Sequence, residues 1–281
     1  MTISTIHSSI PSRTEPRPPP ATRHRHDDIT GIRAAVRSEW IKLRSLRSTP
    51  AILGITVIIG VLLSWILATF VKTDPDTHKV FTIGQTFIFS TWLTTVLAVV
   101  MGTLLFTSEV QHGTLASTVT TQPARWVIVT AKAAVGFGLG LGMGIAGMAA
   151  GFGGAVLGGL DAGDMSGAAA TALWGLFLTS LAPVLGLGVG MIVRHSAAAV
   201  STVLVWALVA ENIIKGFAPP TVSRFLPFSA ATGLLGIKTA GDSAKTMAVA
   251  LSRVHDAFLF SSYIAVAAAV GTALLYRRDT N

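Results

Sequence analysis

Residues 51–71 read AILGITVIIGVLLSWILATFV, a run of 21 residues without a charged side chain. A helix needs about 20 apolar residues to cross the hydrocarbon core of a bilayer. The composition agrees with a crossing, because only 12% of the 281 residues are charged, 51% are hydrophobic and the mean hydropathy is +0.64. A soluble domain carries about 25% charged residues, so the chain is predicted to be an integral membrane protein.

Five more apolar runs follow the first one. They cover residues 83–106, 133–158, 168–193, 197–214 and 257–275. Together with the first run they predict an all-α integral membrane protein with six transmembrane helices. Of the 21 Lys and Arg residues, 14 fall on the side of the N-terminus and 7 on the opposite side. The positive-inside rule therefore predicts both termini in the cytoplasm and a multi-pass protein of the plasma (inner) membrane.

The first 30 residues are rich in Pro, Arg, Ser and His and lack the apolar core of a signal peptide. They are interpreted as a disordered basic cytoplasmic tail, and residues 31–281 as the six-helix transmembrane domain. The spacing of His24 and His26 before two aspartates is loosely metal-like, but a flexible tail has no preformed geometry, so no metal site is assigned. The chain has no cysteine, which excludes thiolate chemistry.

An interfacial amphipathic helix is predicted between residues 31 and 47. Its apolar positions recur at helical spacing at Ile32, Val36, Trp40 and Leu43. Its polar face holds Arg33, Arg37, Lys42, Arg44 and Arg47. The basic side chains suit anionic lipid headgroups, so membrane lipids are expected partners. The net charge of +8 is explained by this topology, and no nucleic-acid partner is predicted.

The polar segment between the second and third spans predicts a docking element. Glu109 follows the membrane exit, Gly113 permits a sharp bend, Leu115 and Val119 share one face of a short helix, and Pro123 ends it. Such a short amphipathic helix would lie parallel to the membrane on the cytoplasmic side.

The residues of this segment resemble a known family. The pattern in residues 109–115 (EVQHGTL), followed by Pro123 and Arg125, resembles the coupling segment of type-2 ABC transporter permeases. Residues 38–49 (SEWIKLRSLRST) are similar to the membrane-entry motif of bacterial members, and residues 276–279 (YRRD) are similar to their ending. The resemblance covers roughly residues 31–281 and does not extend to the tail of residues 1–30.

The resemblance implies a half-transporter that dimerises with a second permease subunit, as a homodimer or a heterodimer, and binds a separate ABC ATPase subunit. ATP and Mg²⁺ would bind to that partner, with no cofactor in this chain. The sequence agrees, since it has no Walker A, HExxH or GxSxG motif and no enzymatic activity is predicted. His112 departs from the family, where Arg is frequent at this place.

Two groups of site residues follow from the resemblance. The ATPase-coupling segment would use Glu109, Gly113, Thr114 and Leu115. The interfacial helix would also face the ATPase, through Glu39, Trp40, Lys42 and Arg44. Simple lipid anchoring explains this second group equally well.

Glycines in the third predicted span indicate close helix packing. Gly136, Gly140 and Gly144 recur every four residues, and rows of small residues let helices approach closely. A dinucleotide fingerprint also matches at Gly142, Gly144 and Gly147, but that motif needs a strand before it, so it is rejected.

Few acidic residues lie near the spans. Glu211 and Lys215, at the outer end of the fifth predicted span, are predicted to form an interfacial i,i+4 ion pair in preference to a substrate contact. Asp161 and Asp164 suit a tight turn. The loop 215–256 is where family members often place re-entrant helices, and a role in gating substrate exit is a hypothesis.

Two other function classes remain open. A secondary transporter needs buried ionisable groups or helices broken at the midplane, and Pro183 is the one hint of such a break. A non-transporting membrane scaffold or assembly protein would explain the glycine rows by helix packing alone. The substrate cannot be assigned from the sequence.

Overall fold

The computed structural model describes residues 25–45, 48–73, 83–115, 124–160, 168–237 and 249–278. All regular elements in these ranges are helical. The α-helices are α1 (Arg25–Ser45), α2 (Ser48–Thr73), α3 (Ile83–Gln111), α4 (Arg125–Leu157), α5 (Ala168–Val193), α6 (Ser196–Val205), α7 (Glu211–Phe217), α8 (Pro220–Ser223), α9 (Pro227–Leu235) and α10 (Arg253–Arg278). A π-helical turn, Trp206–Ala210, joins α6 to α7.

Six stretches of the described chain are long and apolar enough to cross a membrane, which confirms the predicted number. They are span 1 (Thr49–Phe70), span 2 (Phe87–Gln111), span 3 (Arg125–Leu157), span 4 (Ala168–Val193), span 5 (Ser196–Phe217) and span 6 (Arg253–Arg277). Span 4 has the predicted bounds. Span 3 begins eight residues before the predicted 133, and the predicted turn with Asp161 and Asp164 lies outside the described residues.

Spans 2 and 4 form the centre of the bundle. Buried residues make up 67% of the most apolar stretch of span 2 and 61% of that of span 4, against 22% in each of spans 1, 5 and 6. The core therefore lies around spans 2 and 4. The outer spans present apolar surface to lipid or to another subunit.

Helix α1 differs from the predicted interfacial helix in two ways. It begins at Arg25, six residues before the predicted boundary, so residues 25–30 of the predicted disordered tail are helical. Its inner face is formed by Glu39 and Leu43, which are buried, whereas Trp40 is 41% exposed. The Thr49 hydroxyl donates to the Leu43 carbonyl oxygen at 2.8 Å and fixes the passage from α1 into span 1.

The predicted glycine row faces span 4. A Cβ atom at Gly140 would overlap the Thr179 carbonyl oxygen and the Pro183 ring, and one at Gly144 would overlap the Thr179 side chain. At Gly136 it would lie 3.4 Å from Pro183 Cβ. Because Pro183 has no N–H, it cannot donate to the Thr179 carbonyl oxygen four residues earlier. The Gly140 Cα approaches that oxygen instead, and span 4 continues unbroken through its proline.

The described part of the loop between spans 5 and 6 contains two short helices, α8 and α9, and Pro227 is the first residue of α9. Gly236 ends α9 with φ +68°, and Ile237 N–H donates to the Thr232 carbonyl oxygen at 3.1 Å. Glycine adopts this left-handed conformation without steric strain because it has no Cβ atom, so Gly236 suits the C-cap. Residues 238–248 lie outside the described part of the chain.

Candidate coupling site

Four charged side chains from three helices meet beside the end of span 2, and we call them the charge network. Lys132 Nζ in span 3 lies 2.7 Å from Glu39 Oε2 and 2.9 Å from Glu109 Oε1. Lys42 Nζ lies 2.8 Å from Glu39 Oε1 and 3.0 Å from the same Glu109 oxygen. The network therefore bonds α1 to both span 2 and span 3.

The charge network is mostly buried. The exposed fraction of the side chain is 2% for Lys132, 9% for Glu39, 11% for Glu109 and 41% for Lys42. An uncompensated charge at this depth is strongly destabilising, whereas two carboxylates and two ammonium groups balance. Lys132 Nζ also lies 3.4 Å from the Leu105 carbonyl oxygen. The stability of the network thus depends on the balance of its charges.

The pKa values in α1 fit this pairing. Burial alone would raise the pKa of Glu39, but Lys132 and Lys42 outweigh it and hold that pKa below its ordinary value of 4.5. Burial alone would lower the pKa of Lys42, but its hydrogen bonds to Glu39 and Glu109 raise that pKa above the ordinary 10.5. Both groups remain ionised at neutral pH.

Local structure brings the network to the two ends of residues 112–124. Glu109 lies in the last turn of α3, which ends at Gln111, and Lys132 lies two turns after α4 begins at Arg125. Glu39 is four residues before the buried Leu43, on the same face of α1. The network therefore fixes where the chain leaves span 2 and where it enters span 3.

The exit from span 2 turns at Gly113. This residue has φ +68°, which favours glycine, and its N–H donates to the Val110 carbonyl oxygen at 3.3 Å. Thr114 is exposed, while Leu115 is partly buried against an apolar cluster around Phe106. Residues 116–123, with Val119 and Pro123, lie outside the described residues, so the coupling helix stays a prediction.

The start of span 3 is also tied to the end of span 6. The Arg125 guanidinium donates from Nη1 to the Leu275 carbonyl oxygen at 2.9 Å and stands 5.5 Å from the centre of the Tyr276 ring. A cation at a helix C-terminus interacts favourably with the last carbonyl groups. The Ser196 hydroxyl donates to Thr107 Oγ1 at 2.9 Å, which brings the start of span 5 to the same end of the bundle.

The family model described as "ABC-2 family transporter protein" matches residues 35–226, more than half of the chain. This chain belongs to the ABC-2 transporter family. The match covers the charge network and spans 1 to 5, and it confirms the resemblance to type-2 ABC permeases. Among curated proteins, none matches the chain. As a member of this family, the protein is a transporter permease and a multi-pass membrane protein.

The geometry unites residues that the sequence placed in two separate groups. Glu39 and Lys42 were assigned to the interfacial helix and Glu109 to the coupling segment, yet all three share the charge network. Trp40 and Arg44 are exposed and remain outside it. Lys132 was not singled out, although a lysine flanked by Ala131 and Ala133 in an apolar helix is a signal for a buried partner.

At the opposite end of the permease, Glu211 has a different role from the predicted one. It is 1% exposed, and Oε1 accepts hydrogen bonds from Trp206 Nε1 at 3.0 Å and from Phe228 N–H at 2.8 Å. Ser229 Oγ lies 3.3 Å from Oε2. The sequence predicted an interfacial ion pair with Lys215. Lys215 attracts this carboxylate, but the structure buries it at the N-terminus of α9, where the outer loop supplies hydrogen-bond donors.

Proposed function

We propose that this permease is the membrane subunit of an ATP-driven exporter that works with a separate ATPase subunit and pairs with a second permease subunit. The observation that carries the proposal is the charge network, which joins α1 to both ends of residues 112–124. In this proposal the segment docks on the ATPase, and Glu109, Gly113, Thr114 and Leu115 form its first turn.

The energetics of the network support transmission of movement. Removing one partner of a buried ion pair costs about 3–5 kcal/mol. A displacement of the docked segment is therefore followed by α1 and span 3 without breaking the pairs. Within the described residues, Glu109 Oε2 is buried without a hydrogen-bond donor.

The proposed topology has both termini in the cytoplasm of a plasma-membrane protein. Its support is the excess of Lys and Arg on the side that includes α1, Arg125 and the end of span 6. The contact between Arg125 and the Leu275 carbonyl oxygen gathers these parts at one end of the bundle, where a cytoplasmic ATPase would bind. ATP and Mg²⁺ would be held by that ATPase.

Co-purification with a candidate ABC ATPase from the same organism tests the proposal. Thr114→Glu adds a charge to an exposed position of the exit turn and should reduce the ATPase that co-elutes in gentle detergent. Thr221→Glu is the matched control, because Thr221 is exposed on α8 at the opposite end. Equal amounts of ATPase with both variants would contradict the coupling site. Wild-type permease that retains no ATPase would favour the scaffold or the secondary transporter.

A further inference from the structure

A cavity of about 840 Å³ lies at the end of the bundle opposite the charge network. Its walls come from the start of span 2, the end of span 5, the helices α8 and α9, and the first turn of span 6. The wall residues that matter here are Phe89, Trp92, Phe228, Gly233 and Asp256. Cavities of about 300–1,000 Å³ are typical of sites for small organic molecules.

The carboxylate of Asp256 lines this cavity, and the neighbouring His255 is the described cationic group that attracts it. The residue is 4% exposed, and no described residue donates a hydrogen bond to its side chain or forms an ion pair with it. Its position in the first turn of span 6 gives some stabilisation from the helix dipole, which is small beside the cost of burying a carboxylate. The structure thus holds an acceptor in need of a positively charged donor.

The backbone of α9 keeps this carboxylate in place. Gly233 presents its Cα to Asp256, and a Cβ atom there would overlap Oδ2. The Asp256 backbone N–H donates to the Ser252 carbonyl oxygen at 3.0 Å, which fixes the start of the helix. The carboxylate is therefore held at the cavity wall by packing on one side and by its own helix on the other.

Two cationic side chains also line the cavity, but each of them has other contacts. Arg224 donates from Nη1 to the Val249 carbonyl oxygen at 3.0 Å, and its guanidinium lies 4.7 Å from the centre of the Phe225 ring. Lys215 has a further interaction of its own and forms no ion pair with Asp256. Arg224 Nε is also buried without an acceptor in the described residues. Asp256 is the one acidic side chain among the described wall residues, so it is the group in this cavity to which an ammonium group would donate.

The other walls suit an apolar or aromatic body. Phe89, Trp92 and Phe228 present ring surface, and aromatic faces attract organic cations as well as apolar groups. The indole N–H of Trp92 is buried without an acceptor in the described residues. A single carboxylate is too few ligands for a hard metal ion, which takes about six oxygen ligands.

We propose that this cavity binds an amphiphilic organic amine, whose ammonium group donates to Asp256 and whose apolar body lies against the aromatic wall. Binding is a property of the permease alone. The inference rests on the proposed function only for the further step, in which the bound amine is the class of molecule that is exported.

Calorimetric titration of the full-length permease in nanodiscs, without ATPase, tests the binding. The probes are 4-phenylbutylamine and its uncharged analogue 4-phenylbutanol, with empty nanodiscs to subtract partition into lipid. The amine should bind about 10- to 100-fold more tightly than the alcohol, as expected for a hydrogen-bonded charge. Asp256→Asn should abolish this preference and leave alcohol binding unchanged. Equal binding of the two probes to the wild type, or undiminished amine binding by Asp256→Asn, would overturn the proposal.

Two further variants separate position from charge. Gly233→Ala keeps the carboxylate but displaces it, so it should weaken amine binding about tenfold or more. Thr221→Glu adds an exposed carboxylate on the neighbouring α8 and should leave amine binding within twofold of the wild type. Amine binding that rises with Thr221→Glu or is unaffected by Gly233→Ala would show nonspecific attraction to negative charge. Wild-type permease that retains no ATPase but binds the amine would count against the proposed function alone.

Discussion

Replacing Lys132 by methionine should destabilise the permease more than any change at its exposed cations. The ammonium group is 2% exposed and lies within 3 Å of two carboxylates, 2.7 Å from Glu39 and 2.9 Å from Glu109. Methionine fills a similar volume, so the substitution removes the charge with little change in packing. The two carboxylates are then left with Lys42 as their only shared cation, and that side chain is 41% exposed.

The expected loss is about 3–5 kcal/mol, the usual cost of removing one partner from a buried ion pair. At roughly 2–4 °C per kcal/mol, the thermal midpoint should fall by about 6–20 °C. Adding Glu39→Gln to Lys132→Met restores the balance, because Glu109 and Lys42 then face each other as a single pair. The double variant should therefore recover more than half of the loss.

Thermal unfolding of the detergent-solubilised variants, followed by tryptophan fluorescence, measures these midpoints. Arg44→Met is the matched control, because Arg44 is exposed on α1 and its loss should change stability by no more than about 0.5 kcal/mol. The reasoning fails if Lys132→Met unfolds within about 2 °C of the wild type. It also fails if Glu39→Gln deepens the loss, since charge balance would then not be what stabilises the cluster.

Three other variants test separate contacts. Gly140→Ala should lower the free energy of unfolding by about 1–3 kcal/mol, because the added methyl group overpacks against span 4. Gly138 faces open space, so Gly138→Ala should raise the free energy of unfolding by up to about 1 kcal/mol through helix propensity. Equal thermal midpoints for the two variants would contradict the packing. Because the pKa of Glu39 is lowered in the folded protein, its stabilisation is present above pH 4.5 and is lost as pH falls through the folded pKa. Midpoints measured from pH 7 to 3 should therefore fall less for Glu39→Gln than for the wild type, and parallel curves would refute the pairing. Glu211→Ala leaves the Phe228 N–H without its acceptor and should cost about 1–3 kcal/mol, with faster proteolysis of the outer loop as a second readout; unchanged proteolysis would argue against the anchor.

The spans could be predicted because hydropathy is a local property. Residues 168–193 were predicted and observed with the same bounds. The start of span 3 was placed eight residues late because Lys132 was treated as polar sequence outside the membrane. Its charge is compensated by Glu39 and Glu109, which lie 93 and 23 residues away in the chain. Hydropathy along one helix contains no information about such compensation.

The candidate sites needed tertiary structure for the same reason. The family pattern identified Glu109 and Glu39 one by one, but their meeting depends on how α1 packs beside span 3. An ion pair of Glu211 with Lys215 was predicted because a sequence identifies neighbours on the same helix and not contacts made by a distant loop. Its donors at Phe228 and Ser229 come from the loop that folds back over span 5. That no described residue donates a hydrogen bond to the Asp256 carboxylate is likewise a property of the whole fold.

Span 2 connects the two ends of the permease mechanically. Glu109 stands at one end of this helix in the charge network, and Trp92 stands at the other end in the cavity wall. The separation of 17 positions from Trp92 to Glu109 corresponds to about 26 Å of continuous helix. Gly140 and Gly144 let span 3 pack closely against span 4, and closely packed helices transmit displacement. In the proposed function, a displacement of Glu109 by a docked ATPase would therefore also move the aromatic wall that faces Asp256.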